Sequence, residues 1–162
     1  MRQFFIFVVG GLLGLIGGFA VGIFVYPYIF LADIVADERL ENAAERSVVA
    51  TGTFIHADPS DPIHYGKGSV TVYADALQIG ADFEVGPGPK YHVYLVPEAS
   101  VTPETPVDET MFVDLGRLRA FKGSQVFRIP AGVSPRSYQS VVIWCEQFGV
   151  LISPAALTFK GG

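Results

Sequence analysis

The sequence predicts an all-β domain, an antiparallel and Greek-key-like β-sandwich, behind one transmembrane helix and a short helical stalk. Three observations support this prediction. The chain of 162 residues has a run of 28 uncharged residues, 4–31, near its start. A charged segment with helical spacing follows. From residue 48 onward, short β-rich runs alternate with turns rich in glycine, proline and aspartate. Many short strands with little helix are typical of sandwiches and flattened barrels.

Residues 1–31 are predicted to form a membrane anchor. A helix that crosses a bilayer needs about 20 apolar residues, whereas the apolar part of a signal peptide has about 7–15. No good small-x-small cleavage site follows, so we expect an uncleaved anchor, with a cleaved signal peptide as the alternative. Arg2 precedes the span, and Asp33, Asp37 and Glu38 follow it. Positive flanks stay in the cytoplasm, which predicts a single pass through the cell (inner) membrane and a periplasmic or extracellular domain.

Four glycines recur every four residues in this span, at Gly10, Gly14, Gly18 and Gly22. In a helix they form one smooth stripe, the small-xxx-small surface along which two membrane helices approach closely. We therefore expect the helix to associate with itself or with a partner's helix. The alternative is that these glycines reflect only the high glycine content of membrane helices.

Residues 32–47 are rich in charge and place apolar side chains at helical spacing, which predicts a charged helical linker. The β domain then covers residues 48–160. Residues 32–162 contain ten Lys and Arg against sixteen Asp and Glu, a net charge of −6. This acidic balance, without a basic patch, argues against nucleic acid as a partner and against adhesion to an anionic lipid surface.

Nine runs in the domain have the composition and length of β-strands. Turn sequences such as DPSDP, GPGP and PAGVSP separate them. The longest break, residues 97–110, holds three prolines and four acidic residues, so we expect an exposed loop there. The predicted strands are residues 48–56, 69–74, 77–85, 91–96, 112–115, 125–129, 140–145, 149–152 and 157–159.

The stretch 140–148 contains the only cysteine, Cys145, and the only tryptophan, Trp144. With one cysteine, no disulfide forms within the chain. This leaves a buried inert thiol, a disulfide to another chain, or a thiolate that binds a cofactor. Strand alternation places Cys145 on the face of Val141 and Ile143, and Trp144 on the other face. Both faces are apolar, so alternation alone leaves the exposure of the thiol open.

Local catalytic motifs are absent from the sequence, which contains no CxxC, CxxCH, HExxH, GxSxG or Walker-type phosphate loop. We therefore expect no stand-alone enzyme. His64 or His92, together with Cys145, would supply ligands for a transition metal or for haem iron. Their spacing gives no local ligand pair, so the alternative is histidines that are simply hydrogen-bonded or exposed.

The most specific pattern in the domain is Val142-Ile-Trp-Cys145 followed by Phe148. Before it, glycines and prolines punctuate the chain in a set order, among them Gly88-Pro89. Together, residues 51–157 resemble the DM-thirteen domain, a family of predicted electron-transfer modules that also occurs as a lone domain in bacterial membrane proteins. One departure is Lys90, since the family often has an acidic residue after Gly-Pro.

The resemblance implies a β-sandwich fold and a membrane-anchored electron-transfer role. It implies redox chemistry at Cys145, as a free thiol or as a ligand to a group such as haem. Trp144 would then pack beside the thiol, with His64 or His92 as a second ligand. The competing expectation is a structural or protein-interaction module that binds a partner through its acidic loop or a sheet edge. Cys145 would then be an inert core thiol.

Overall fold

An apolar helix at the N-terminus precedes a mostly β domain. The computed structural model describes residues 1–26, 29–30 and 32–161, with the side chain of Phe24 excepted. Helix α1 covers Arg2–Tyr26, and its span Arg2–Ile23 has a mean hydropathy of 2.4. This helix is long and apolar enough to cross a membrane, which is consistent with a signal anchor or a signal peptide. The end of the predicted anchor, residues 27–28 and 31, lies outside the described residues.

Each glycine of the stripe on α1 leaves space for a Cβ. Apart from the helix's own backbone, no atom lies within 4 Å of the place where a Cβ would stand at Gly10, Gly14, Gly18 or Gly22. Gly18 and Gly22 also line a pocket with Gly88, Pro89 and Arg117 of the β domain, so this end of the stripe faces the domain. Helix association stays a prediction.

Ten strands form the domain, and they make one continuous sheet. They are β1 (Val35–Asp37), β2 (Val48–Phe54), β3 (Gly66–Tyr73), β4 (Ala76–Ile79), β5 (Glu84–Val85), β6 (Tyr91–Val96), β7 (Val113–Arg117), β8 (Lys122–Arg128), β9 (Ser140–Cys145) and β10 (Val150–Phe159). The order in the sheet is β1-β8-β4-β3-β2-β10-β9-β6-β7, with β5 beside this path on β3 and β8. Strands β1 and β8 run parallel, and the other described pairs are antiparallel.

The two faces of β9 pack into two different apolar clusters. Val141 and Ile143 of β9 enter a main cluster that also contains residues of β3, β4 and β8. Val142 and Trp144, on the other face of β9, enter a second and smaller cluster. The prediction of a mostly β, largely antiparallel domain behind an apolar helix is therefore confirmed. The strands join in one large mixed sheet rather than in two separate sheets.

The last strand is longer than the sequence predicts. The runs 149–152 and 157–159 belong to the single strand β10, which has an irregularity between Leu151 and Ser153. Proline cannot donate to a sheet ladder and is found mainly at edges and bulges. Here the bulge shifts the register next to Pro154, and its carbonyl accepts a hydrogen bond from the Ile55 amide at 3.0 Å.

The predicted helical linker is wrong. Within residues 32–47, β1 pairs with β8, and the only helical residues are one 3₁₀ turn at Ala43–Glu45. Gly123 of β8 makes this pairing feasible, because its φ is +87° and a Cβ there would lie 2.1 Å from the carbonyl oxygen of Ala36. An isolated short helix is only marginally stable in water. Long-range hydrogen bonding to a sheet therefore prevails over the helical spacing.

Glu38 fastens the end of this linker strand to the domain. The guanidinium of Arg119 donates to both carboxylate oxygens, at 2.6 and 2.5 Å, and the Val126 amide donates to Oε2 at 2.9 Å. The Glu38 amide in turn donates to the carbonyl of Ser124. The Arg119 hydrogen bond is the main cause that lowers the pKa of Glu38. The segment expected as a spacer is thus bound to the sheet.

The acidic loop 97–110 is also more anchored than expected. Val101 and Val107 are buried and pack in the second cluster with Trp144. A 3₁₀ turn at Val107–Glu109 follows, while the acidic side chains around it are exposed. Two valines in a polar segment were too weak a signal to predict this cover over Trp144.

Replacement of Glu38 by alanine is expected to lower the free energy of unfolding by about 1 kcal/mol, since a charge-assisted pair at a partly exposed site contributes about that much. Urea unfolding of the full chain in detergent measures it. Glu41→Ala is the matched control, because that side chain is exposed and only the backbone carbonyl of Glu41 accepts a hydrogen bond, from Arg46. Because the folded-state pKa of Glu38 is lowered, the difference should be present above about pH 4.5 and shrink as the pH falls. Equal stability of both variants at pH 7 would contradict the assignment.

Candidate functional site

Cys145 lies at the end of the most enclosed strand of the domain. All six residues of β9 are buried, and β6 and β10 flank it. Cys145 stands opposite Tyr91 on one side and Val150 on the other. Its side chain belongs to the main core with Val141 and Ile143, as strand alternation predicts. The strand ends there because a turn follows, in which the Gly149 amide donates to the Cys145 carbonyl at 2.9 Å.

The thiol itself is buried and hydrogen-bonded. Cys145 is 2 % exposed, and its Sγ donates to the carbonyl oxygen of Pro89 at 3.3 Å. Burial raises the pKa of this thiol, although the amides of Phe148 and Gln147 partly oppose the shift. Reactive cysteines are partly exposed and have a lowered pKa. With its side chain buried in this way, Cys145 is a protonated thiol at neutral pH.

A small cavity lies against this thiol. Its volume is about 40 Å³. Gly88 is required in its wall, because a Cβ at this position would lie 2.1 Å from the hydroxyl of Tyr91. The rim carries two exposed apolar side chains, Ile63 and Phe148. The complete lining is Ile63, His64, Pro87, Gly88, Pro89, Tyr91, Cys145 and Phe148.

His64 is the predicted histidine that the structure brings to Cys145. Its Nδ1 lies 2.6 Å from Oδ2 of Asp61, and Asp61 Oδ1 also accepts from the amides of Ile63 and His64. The hydrogen bond with His64 is the main cause that lowers the pKa of Asp61 to about 2. An ionised carboxylate only accepts hydrogen bonds, so Nδ1 carries the proton and Nε2 of a neutral His64 keeps its lone pair.

His92 and Trp144 do not share this cavity. His92 stands opposite Trp144 in the β6–β9 ladder, whereas Tyr91 stands opposite Cys145. Successive strand residues point to opposite faces, so His92 and Trp144 lie on the face away from the thiol. Trp144 packs in the second cluster with Tyr94, and His92 contacts Asp114 and Glu146. Proximity in sequence therefore does not make Trp144 a wall of the Cys145 site.

Several residues of the site were not predicted. Pro89 and Tyr91 line the cavity, and their signal in the sequence was the tight Gly-Pro turn before β6. Lys90, the departure from the family pattern, lies on the other side of this turn, and its Nζ is 2.7 Å from Oε2 of Glu146. The Glu146 amide also donates to the Lys90 carbonyl. These contacts join the turn after β9 to the turn before β6.

The cavity does not fit a haem. Pockets for ligands of that size have volumes of roughly 300–1,000 Å³, against about 40 Å³ beside Cys145. Of the described residues, His64 is the only histidine that lines this cavity with the thiol. We therefore derive no chemistry through haem.

These features define a class of protein: a mostly β domain with one buried thiol beside a histidine, behind an apolar helix. Residues 60–157 match the family model described as "Electron transfer DM13", and the chain belongs to this family. The match confirms the resemblance and ends at the same residue. It begins after β2, although β2 lies between β3 and β10 in the sheet. No curated protein and no solved structure matches the chain.

Alkylation of Cys145 by iodoacetamide in the native protein is expected to be slow at pH 7. The pKa of an ordinary cysteine is about 8.5. Because burial raises the pKa of Cys145, its alkylation rate should go on rising at pH values above the range in which an ordinary cysteine is already ionised. Mass spectrometry of the full chain measures the rate, and the urea-denatured chain is the reference. Equal rates for native and denatured protein at pH 7 would rule out the buried, protonated thiol.

The same shift has a consequence for stability. Because the folded-state pKa is raised, the contribution of the thiol to stability is complete below about pH 8.5 and is lost as the pH rises through the folded-state value. The free energy of unfolding of the wild type, relative to Cys145→Ala, should therefore fall between pH 7 and pH 10. A difference that does not change with pH would contradict this.

Proposed function

We propose that the protein is a membrane-anchored electron-transfer module that faces the periplasm or the cell exterior and reacts through the thiol of Cys145. Membership of the electron-transfer family supports the reaction class. The single observation that carries the assignment to Cys145 is the cavity that this thiol shares with His64 at the end of β9. The apolar helix α1 and the Arg2 flank support the anchor and its orientation.

The chemistry that suits a single thiol is exchange with a disulfide of another molecule. The thiolate of Cys145 attacks one sulfur of that disulfide, whose S–S bond breaks. The other sulfur leaves as a thiolate and is reduced, while Cys145 is oxidised to one half of a mixed disulfide. Cys145 is the only cysteine of the chain, so the disulfide must come from a partner protein or from a small molecule such as oxidised glutathione.

His64 is assigned the proton that leaves the thiol. Asp61 holds Nδ1 at 2.6 Å, and Nε2 has no hydrogen-bond partner among the described residues. A neutral imidazole beside a thiol is a suitable base near pH 7. The exchange also requires access, because the Pro89 carbonyl covers the sulfur. We expect the Pro87–Pro89 turn to move before the partner reaches it.

The test exposes the full chain in detergent to oxidised glutathione at pH 7 and pH 9. The expected product is one glutathione per chain, attached to Cys145 and removed by dithiothreitol, and absent in Cys145→Ala. His64→Ala should slow the reaction at pH 7 and approach the wild-type rate at pH 9, where hydroxide takes the proton. A folded wild-type chain that forms no mixed disulfide at either pH would refute the proposed function.

A second candidate is a structural or interaction module with Cys145 as an inert core thiol. The observation that favours it is burial, because the side chain is 2 % exposed and its hydrogen bond to Pro89 is internal. Partner contacts would then come from the exposed acidic side chains of the loop 97–110 or from the edge strand β7.

On this second candidate, Cys145→Ser should lower the free energy of unfolding by about 1–3 kcal/mol, because it places a hydroxyl among apolar groups. Urea unfolding measures the loss, with Cys145→Ala as the matched variant that adds no polar atom. The wild-type thiol should stay unmodified by oxidised glutathione in the folded chain. Rapid, reversible modification of the folded wild type would exclude this candidate.

A further inference from the structure

Three chemically versatile side chains meet on the face of the sheet opposite Cys145. His92 comes from β6, Asp114 from β7 and Glu146 from the turn after β9. One ligand atom from each can be chosen so that all three lie within 4.8 Å of one another. The imidazole is 15 % exposed, and the carboxylates of Asp114 and Glu146 are 37 % and 32 % exposed. The group is thus reachable from solvent but positioned by the sheet.

The contacts of the two ring nitrogens of His92 differ. Nδ1 lies 3.1 and 2.9 Å from the two carboxylate oxygens of Asp114, which are hydrogen-bond distances. Nε2 lies 3.6 Å from Oε2 of Glu146, beyond a hydrogen bond. Ionised Asp114 can only accept, so Nδ1 carries the hydrogen. The lone pair of Nε2 in a neutral ring then faces the anionic oxygen of Glu146.

Two electron-rich atoms at this separation fit a cation between them. Zinc lies about 2.0–2.2 Å from histidine nitrogen and carboxylate oxygen. A separation of 3.6 Å between Nε2 and Oε2 then gives an angle at the metal of roughly 118°, close to the tetrahedral value. A histidine that binds metal through one nitrogen usually donates its other N–H to a carboxylate, which is the contact of Asp114 with Nδ1.

We propose that His92 Nε2 and Glu146 Oε2 bind a divalent first-row transition metal ion, with solvent completing the coordination and Asp114 orienting the imidazole. A nitrogen ligand favours zinc or copper over calcium and magnesium, which take oxygen ligands. Cys145 takes no part, because it lies on the other face of the sheet. The proposed ligand atoms are therefore separate from the thiol of Cys145.

Lys90 competes with the metal for this site. Its Nζ lies 2.7 Å from the same Oε2 of Glu146. A bound cation must displace this ammonium or share the carboxylate with it. Removal of the charge at Lys90 should therefore strengthen metal binding, whereas a cluster with a purely structural role would give no such gain.

The test titrates the full chain in detergent with Zn²⁺ by calorimetry and with Cu²⁺ by electron paramagnetic resonance. We expect one site per chain and the signature of nitrogen coordination to Cu²⁺. His92→Ala should weaken binding at least about 100-fold, and Glu146→Gln at least about 10-fold. Asp114→Ala, which removes an orienting contact, should weaken it about 10-fold. Lys90→Gln should tighten it, and Ca²⁺ should not bind.

The matched control is His56→Ala, which removes a histidine whose Nε2 contacts only a backbone carbonyl, that of Asp61. It should leave binding unchanged. Thermal unfolding of each variant checks the fold, and Glu146→Gln decides the matter if His92→Ala does not fold. Binding that survives Glu146→Gln, that is lost in His64→Ala instead, or that is absent in the wild type would overturn the proposal.

Discussion

Strand β9 packs against an apolar cluster on each of its two faces, and none of its residues is exposed. Its side chains enter the main core and the second cluster in turn. The side chains of consecutive residues therefore lie on opposite faces of the sheet. Between Ser140 and Cys145, at its two ends, the strand carries only apolar side chains. At the C-terminal end, the cavity of Cys145 lies on one face of the sheet. The carboxylate of Glu146 lies on the other face, with His92 and Asp114.

The two turns that meet at this end restrain each other. The turn after β9 is bonded to Lys90 through both its backbone and the side chain of Glu146. The turn before β6 covers the thiol with the carbonyl of Pro89. A movement that uncovers Cys145 must therefore also alter the contacts of Lys90 on the opposite face. The ion pair between Lys90 and Glu146 is partly exposed and therefore contributes little stability by itself.

The sequence was sufficient for the parts of the fold that depend on local pattern. Composition predicted the N-terminal helix and the strands, and period-two alternation placed Cys145 on the same face as Val141 and Ile143. The sequence did not predict the parts of the fold that depend on contacts between distant segments. β1 forms because Arg119 and the Val126 amide hold Glu38, and β10 stays one strand because a bulge accommodates Pro154. The same holds for the two sites. The sequence singled out Cys145, but the approach of Asp114 and Glu146 to His92 depends on the register of three strands.

The attachment of β1 to the sheet determines the geometry of the chain beyond its stability. Only eight residues, 27–34, separate the end of α1 from β1. A fully extended chain spans at most about 3.6 Å per residue, so this tether reaches roughly 30 Å. A retained anchor would thus confine the domain to a thin shell above the bilayer. Another molecule anchored in the same membrane would then be met at a high effective concentration. Lateral diffusion in the plane of the membrane, rather than diffusion through the surrounding solution, would set the rate of such encounters.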